Sequence, residues 1–358
     1  MLINNKTILL ISPESWNSLF VSKHHYATHL GQKNNKIYFL NPPTKSKEVV
    51  STIYENVWQV NYNGFPKGIR FYPPFLQKRF IKRVYKQLEE LCGVQFDIVW
   101  SFDNSVFFDF AALPATVYKI SHIVDLNQDF QIAKAASTAN ICFGSSQPIV
   151  NRLATYNNNS HFINHGLNSF KALTEDEKQN FSLKENGIKA FYAGNLDSSY
   201  IDWDLLYLII KKHKAVKFYF AGKWEDVKRK RQTLEFENVH YFGVLSSNHL
   251  SLFYAEIDIF LVCYKNSVDP DQLSNPHKVM EYLGAGKVIV ATWTSEYQNC
   301  TDLILMSKEA DEFPILFNAA VNNLQFYNST ALLSKRIAFA KANSYENQIC
   351  RIERLIQL

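Results

Sequence analysis

The sequence predicts two α/β domains, each a parallel sheet wrapped by helices. Three observations carry this. The chain has 358 residues, room for two domains of about 100–200 residues each. Hydrophobic residues make up 47% and charged residues 20%, a globular balance with enough apolar material for two cores. Short, β-rich apolar runs alternate with longer helical patterns, as strands joined by crossover helices do.

The first series of strands is expected at Thr7–Ser12, Lys36–Leu40, Asp97–Ser101, Thr116–Ile120, Ile141–Ser145 and Ser160–Ile163. The second is expected at Lys189–Ala193, Lys217–Ala221, Val239–Phe242, Ile257–Val262 and Val288–Thr292. Helical patterns such as His25–Gln32, Gln77–Cys92 and Trp203–His213 fall between them. Asn157-Asn-Asn-Ser160 is polar and reads as a surface loop. The best boundary follows His165-Gly166, because Lys171–Gly187 is charged and polar and a fresh strand opens at Lys189. This divides the chain into residues 1–166, 167–335 and a C-terminal helix, 336–358, expected to pack back on the first domain. Ligands of such sheets bind beyond the carboxyl ends of the strands. Two sheets facing each other would hold two ligands in one cleft.

Composition narrows the function classes. The net charge of +5, from 38 basic and 33 acidic residues, is too small by itself to indicate nucleic acid. The five cysteines are scattered and form no C-x-x-C pair, which argues against a disulfide framework or a zinc site. Reduced thiols in a cytoplasmic protein are expected. The run Thr7–Ser12 is too short for a signal peptide, and no stretch of about 18 apolar residues is present to span a membrane.

The segment Ile257–Thr292 carries the chemistry. It reads as a strand, the loop Tyr264–Ser274, a helix opened by Asn275 as N-cap and Pro276 at the first helical position, and a second strand. The helix should end near Gly284 or Gly286. Lys278 and Glu281 are three apart and share one face of its first two turns. A helix N-terminus attracts phosphate through its free N–H groups, and Lys278 adds a point charge there. Glu281, one turn deeper, is placed to accept from two ribose hydroxyls. Together they suit a nucleoside diphosphate. The plain alternative is a surface ion pair on an ordinary crossover helix.

The surrounding sequence decides between these. Asn275-Pro-His-Lys-Val-Met-Glu-Tyr-Leu-Gly-Ala-Gly-Lys-Val-Ile-Val-Ala-Thr292 resembles the nucleotide-sugar motif of GT-B glycosyltransferases, glycosyl transferases group 1 (family 4-like). Phe191-Tyr-Ala-Gly-Asn-Leu196, Asp202-Trp-Asp-Leu-Leu206, Phe218-Tyr-Phe-Ala-Gly222 and Asn238-Val-His-Tyr-Phe-Gly243 resemble the preceding parts of that nucleotide domain, in order. The match covers roughly residues 188–295, and the N-terminal half resembles the family only through Ser145-Ser146 and His165-Gly166. The resemblance implies an α/β, GT-B fold of two facing Rossmann-like domains, acceptor-binding first and nucleotide-sugar-binding second. It also implies a donor site of Lys278, Glu281, Asn275, Pro276, Ser274, Gly194, Asn195, Gly222, Gly243 and Val244. Gly194 and Gly222 would let backbone approach phosphate, or simply make tight turns. Gly243 and Val244 would seat the base through backbone contacts. Much of the family carries two glutamates eight apart, the first contacting the donor sugar. Counting back from Glu281 lands on Leu273, so that carboxylate is absent or supplied by Asp269 or Asp271.

The acceptor side needs a general base or an electrostatic stabiliser. Tyr118-Lys-Ile-Ser-His-Ile-Val-Asp125 runs off an expected strand end, which makes His122 and Asp125 candidates, with Asp129 nearby. His25, beside His24, opens the first helix and is the third candidate; a partly exposed helix start is the alternative. His165 either lines the cleft or caps the hinge. Lys67, Arg70, Lys78, Arg79, Lys82, Arg83 and Lys86 are interleaved with Phe65, Phe71, Tyr72, Phe75, Phe80 and Tyr85. That mixture suits an anionic bilayer surface or a solvated helix face with its apolar side in the core. Nucleic acid is not expected, since no recognised binding module accompanies the cluster.

The leading expectation is a metal-independent glycosyltransferase. Its donor is a nucleotide diphosphate sugar, UDP-linked by preference, and no other cofactor is expected. The acceptor is a growing glycan or lipid-linked saccharide in cell-surface polysaccharide synthesis. The resemblance favours retention at the anomeric carbon. The place is cytoplasmic, peripheral on the inner face of the membrane. A GT-B nucleotide-sugar epimerase and a non-catalytic saccharide-binding relic of the fold are the alternatives.

Overall fold

The computed structural model describes residues 3–125, 131–168, 183, 186–245, 247–265 and 275–356. It divides into two compact units, Met1–Gly166 with Tyr345–Leu358, and Leu167–Ser344.

The first unit holds eight strands: β1 (Thr7–Ile11), β2 (Lys36–Leu40), β3 (Glu48–Ser51), β4 (Val57–Asn61), β5 (Ile98–Ser101), β6 (Tyr118–Ile123), β7 (Ile141–Gly144) and β8 (Ser160–Phe162). Their order is β3-β4-β2-β1-β5-β6-β7-β8. All pairings are parallel except β3 with β4. β1, β5 and β7 are near-continuous apolar runs because both faces of a parallel sheet are covered. The order reverses between β1 and β5, so the loops leaving those strands flank the point where such sheets take ligands. The β3–β4 hairpin was not expected from the sequence. Its edge strand reads Glu-Val-Val-Ser and is mostly exposed, so it lacks the apolar run of a central strand. β6 extends to Ile123, beyond the expected Ile120, and so takes in His122 opposite Phe143.

The second unit holds β9 (Lys189–Ala193), β10 (Lys217–Ala221), β11 (Val239–Tyr241), β12 (Ile259–Val262), β13 (Val288–Thr292) and β14 (Leu305–Ser307). Their order is β11-β10-β9-β12-β13-β14, all parallel. Helices cover both faces. One face packs Val279, Met280, Tyr282 and Leu283 of the helix His277–Ala285 against the sheet. The other packs Trp203, Leu206, Ile209 and Ile210 of the helix Trp203–Lys212.

The boundary at residue 335 needs correction. The helix Thr330–Ala342 runs straight through it. Arg336 is 2% exposed and donates to the carbonyls of Leu303, Gly286 and Tyr327, all in the second unit. Three carbonyl acceptors offset the cost of burying that guanidinium. The chain returns to the first unit at Tyr345. Tyr345, Ile349, Ile352 and Ile356 join the core beneath Ile8, Leu10 and Tyr26. Buried Glu353 accepts from the Ile3 N–H at 2.9 Å and pairs with Lys33. A Cβ at Gly166 would lie 2.5 Å from the Tyr345 ring, so only glycine admits the returning helix there.

Candidate functional site

Three glycines stand together at the carboxyl ends of β9, β10 and β11. Gly194 follows β9 with φ +148°, and its N–H donates to Ala221 O at 3.0 Å. Gly222 follows β10 with φ +133°, and its N–H donates to Gly243 O at 2.7 Å. A Cβ at Gly222 would sit 1.8 Å from Gly194 O, so this crossing of two backbones requires glycine. Asn195 and Val244 are exposed beside them. Asn195 Oδ1 accepts from the Asp197 N–H and shapes the turn.

The helix that faces these glycines starts one residue later than expected. Pro276 is the N-cap, His277 the first helical residue, and Gly286 ends the helix in the left-handed conformation with φ 79°. Asn275 does not cap it. Its Oδ1 accepts from the Tyr297 hydroxyl at 2.9 Å, which commits the side chain elsewhere. The Ala193 N–H donates to the Tyr282 hydroxyl oxygen at 2.9 Å, and the Tyr282 ring stacks on Phe260 at 4.3 Å. Both contacts lock the helix against the ends of β9 and β12. Ser274, with Asp269, Asp271, Leu273 and Asp129, lies outside the described residues.

Lys278 reaches across to Gly194. Its Nζ is 3.7 Å from the centre of the Tyr192 ring and 5.4 Å from that of Tyr264. A Cβ at Gly194 would be 2.8 Å from this ammonium. No ion pair holds it among the described residues; aromatic faces do. Burial pushes its pKa down to about 7, against the opposing pull of Glu281 and then Cys263. One turn on, Glu281 Oε2 accepts from the Tyr254 hydroxyl at 2.6 Å, and Oε1 is 3.8 Å from His277 Nδ1. A cation with no ion pair among the described residues, a helix N-terminus and an oriented carboxylate thus lie on one short helix.

The first unit treats its candidates differently. His122 is 1% exposed, stacks on Phe102 at 4.6 Å and takes the Trp100 indole N–H on Nδ1 at 3.4 Å. Burial, and then the Lys23 charge, lowers its pKa to about 3. It is a neutral member of an aromatic core, which corrects its assignment as an accessible base. The strand extension to Ile123 is the reason. His25 is 7% exposed and stacks on Tyr345 at 4.9 Å, so it packs the returning helix. His165 Nδ1 is 3.2 Å from Ser22 Oγ. Asp125 is exposed just past β6.

Two features of this unit were missed. Lys23, 2% exposed, lies 2.7 Å from Glu14 Oε2, which bridges the loop leaving β1 to the first helix. Asn104, 1% exposed in the turn after β5, has no partner for either amide atom among the described residues. The signal available was two opposite charges bracketing a strand-to-helix loop.

An open cavity of about 730 Å³ lies between the helices Trp203–Lys212 and Val227–Leu234, lined by Trp203, Tyr207, Lys211 and Arg229. None of the residues around Lys278 lines it, and chemistry is better placed at the glycines, where charge and backbone converge. Among the described residues there is no cluster of His, Cys, Asp and Glu able to hold a metal. None of the described helices is long and apolar enough to cross a membrane.

No protein-family model and no curated protein matches the chain. Solved structures do share its fold. Sucrose-phosphate synthase from Thermosynechococcus elongatus superposes with a TM-score of 0.71 at 11% identity over 98% of each chain. HepE of Anabaena, in complex with UDP and glucose, gives 0.68 at 12% over 98% of each. A glycosyltransferase from Rickettsia africae gives 0.67 at 14% over 98% of each. Likeness at such low identity speaks to architecture, and the architecture is that of these enzymes: the chain has the GT-B fold.

Proposed function

We propose that the chain is a glycosyltransferase that moves a sugar from a nucleoside diphosphate sugar, with UDP the favoured nucleotide, to a saccharide or lipid-linked acceptor in cell-surface polysaccharide synthesis. The observation that carries this is the Lys278 ammonium, held by Tyr192 over Gly194 with no counter-ion among the described residues. A departing diphosphate brings the negative charge that such a site lacks, and fixed positive charge at that point stabilises the transition state. Lys278 and the N–H groups of the helix start supply it, so the proposed reaction is metal-independent. Two of the similar structures were solved with UDP-glucose-type ligands, UDP with glucose and UDP-2-fluoro glucose. On the acceptor side Asp125 is the proposed electrostatic stabiliser. Retention at the anomeric carbon is the favoured outcome.

Calorimetric titration with UDP, GDP and ADP tests the donor half. Binding that falls by about 1.5–3 kcal/mol in Lys278→Ala is expected for the loss of a charge-assisted contact. No binding by the unaltered chain would remove the proposal. Turnover abolished by EDTA and restored by Mn²⁺ would refute metal independence. Donor hydrolysis with and without acceptors separates transfer from epimerisation and from a non-catalytic relic.

For the acceptor we propose an anionic membrane surface on the cytoplasmic face as its location. Lys67, Arg70, Lys78, Arg79, Lys82, Arg83 and Lys86 are all exposed. The helix Pro74–Cys92 buries Gln77, Ile81, Val84, Tyr85 and Leu88, so Tyr85 belongs to the core. Phe71 and Phe75 instead stand 78% and 69% exposed at its start. Protruding rings beside cations suit the headgroup region, and each cation near such a surface adds about 1 kcal/mol. Salt-sensitive sedimentation with phosphatidylglycerol vesicles, weakened by Lys78→Glu with Arg79→Glu, is expected. No sedimentation at low salt would point to a soluble acceptor.

A further inference from the structure

Tyr254 is 3% exposed on the helix Ser247–Glu256, and its hydroxyl donates to Glu281 Oε2 at 2.6 Å. A hydroxyl–carboxylate bond of that length is of the charge-assisted kind. Burial, and then the Glu281 charge, raises the tyrosine pKa well above its usual range, so the group acts only as a donor. The ring itself is held edge-on to Phe260 at 5.4 Å and to Tyr282 at 5.8 Å. The donor is therefore rigid. Glu281 keeps 25% side-chain exposure. Its second oxygen, Oε1, has no donor at hydrogen-bond distance among the described residues, since His277 Nδ1 is 3.8 Å away.

We infer that Tyr254 is a positioning residue that aims Glu281 Oε1 at a ribose diol, so that the site takes ribonucleoside diphosphate sugars and rejects 2′-deoxyribonucleoside ones. This rests on the donor site proposed above and names its substrate class. A glutamate on an open helix face samples several rotamers. A short bond from a fixed ring removes that freedom before a ligand arrives, so no ordering is left to be done on binding. The remaining oxygen then accepts from the hydroxyls of a vicinal diol. A ligand that lacks one hydroxyl still displaces water from Oε1 but returns fewer bonds. Sites built around a substrate hydroxyl reject the analogue without it for that reason.

The test is calorimetric titration with UDP and dUDP, GDP and dGDP, and ADP and dADP. It uses the unaltered chain, Tyr254→Phe and Glu281→Gln. The unaltered chain should favour the ribo form of its preferred base by about tenfold or more, the value of one charge-assisted bond. Tyr254→Phe should shrink that ratio several-fold while the deoxy form binds as before, a change that mere loosening of the fold would not produce. Glu281→Gln, which leaves the tyrosine ring in place, should shrink it too and tests the diol reading by itself if Tyr254→Phe does not fold. A full ribo preference in Tyr254→Phe, or an equal loss of both forms there, overturns the role of Tyr254. Binding without ribo preference in the unaltered chain overturns diol reading and leaves the donor proposal standing. Binding of no nucleotide at all overturns both.

Discussion

The carboxyl ends of the two sheets are built in opposite ways. In the second unit, backbone does the shaping: the Gly194 N–H donates to Ala221 O, the Gly222 N–H donates to Gly243 O, and one helix brings Lys278 to Gly194. In the first unit, side chains fill the corresponding space. His122 stacks on Phe102 and Trp100, Tyr26 meets it edge-on, and Lys23 pairs with Glu14. The difference teaches that strand ends shaped by glycine leave room beside a lysine that has no ion pair among the described residues, whereas strand ends shaped by aromatic side chains are filled. One end is the proposed place of the charged donor. The other holds a buried Asn104 whose amide has no partner among the described residues, and an exposed Asp125.

The largest expected effect tests the backbone half of this contrast. Gly222→Ala puts a methyl group 1.8 Å from Gly194 O and forces φ +133° on a residue with a side chain. Unfolding by urea should show a loss of about 3 kcal/mol or more, since a clash adds to left-handed strain. A loss well below 1 kcal/mol would mean that the glycines do not cross so tightly.

A smaller effect should come from pH. With a pKa of about 7 in the free protein, Lys278 is charged below that value and neutral above it. Only the charged form attracts a diphosphate. Affinity should therefore be highest below pH 7 and fall by about tenfold between pH 6 and pH 8, because binding must first recharge the amine. Lys278→Arg, which keeps its proton throughout, should flatten the profile relative to the unaltered chain. Parallel profiles in the two proteins would place the titration elsewhere.

The smallest effect separates core from catalysis in the first unit. His122→Phe removes only the 3.4 Å bond from Trp100 and keeps an aromatic ring in the stack. Stability should fall by about 1 kcal/mol, the value of one modest hydrogen bond, with turnover unchanged. A folded variant with turnover lost would return His122 to the acceptor site.

Legibility followed the same division. The helix His277–Ala285, its glycine stop and the shared face of Lys278 and Glu281 were readable because they lie within a few residues of one another. The strands β9, β10 and β13 were readable at their observed limits, being short apolar runs closed by glycine or polar residues. Asn275 was misread because a cap preference is weak beside a tyrosine hydroxyl that arrives from Tyr297. His122 was misread because nothing local says that β6 continues three residues past Ile120. The tie of Tyr254 to Glu281 joins residues on different helices, so no spacing rule announces it.

The sequence by itself determined the α/β alternation and a helix able to carry a cation and a carboxylate on one face. Those depend on backbone conformation and side-chain period, which neighbours along the chain dictate. Tertiary structure decided which groups are charged, which are buried and which have partners. It set Lys278 on Tyr192, made His122 a core residue and sent Tyr345 back beneath Gly166. Desolvation and hydrogen bonding depend on what lies within a few ångströms in space, and those neighbours come from segments tens to hundreds of residues apart.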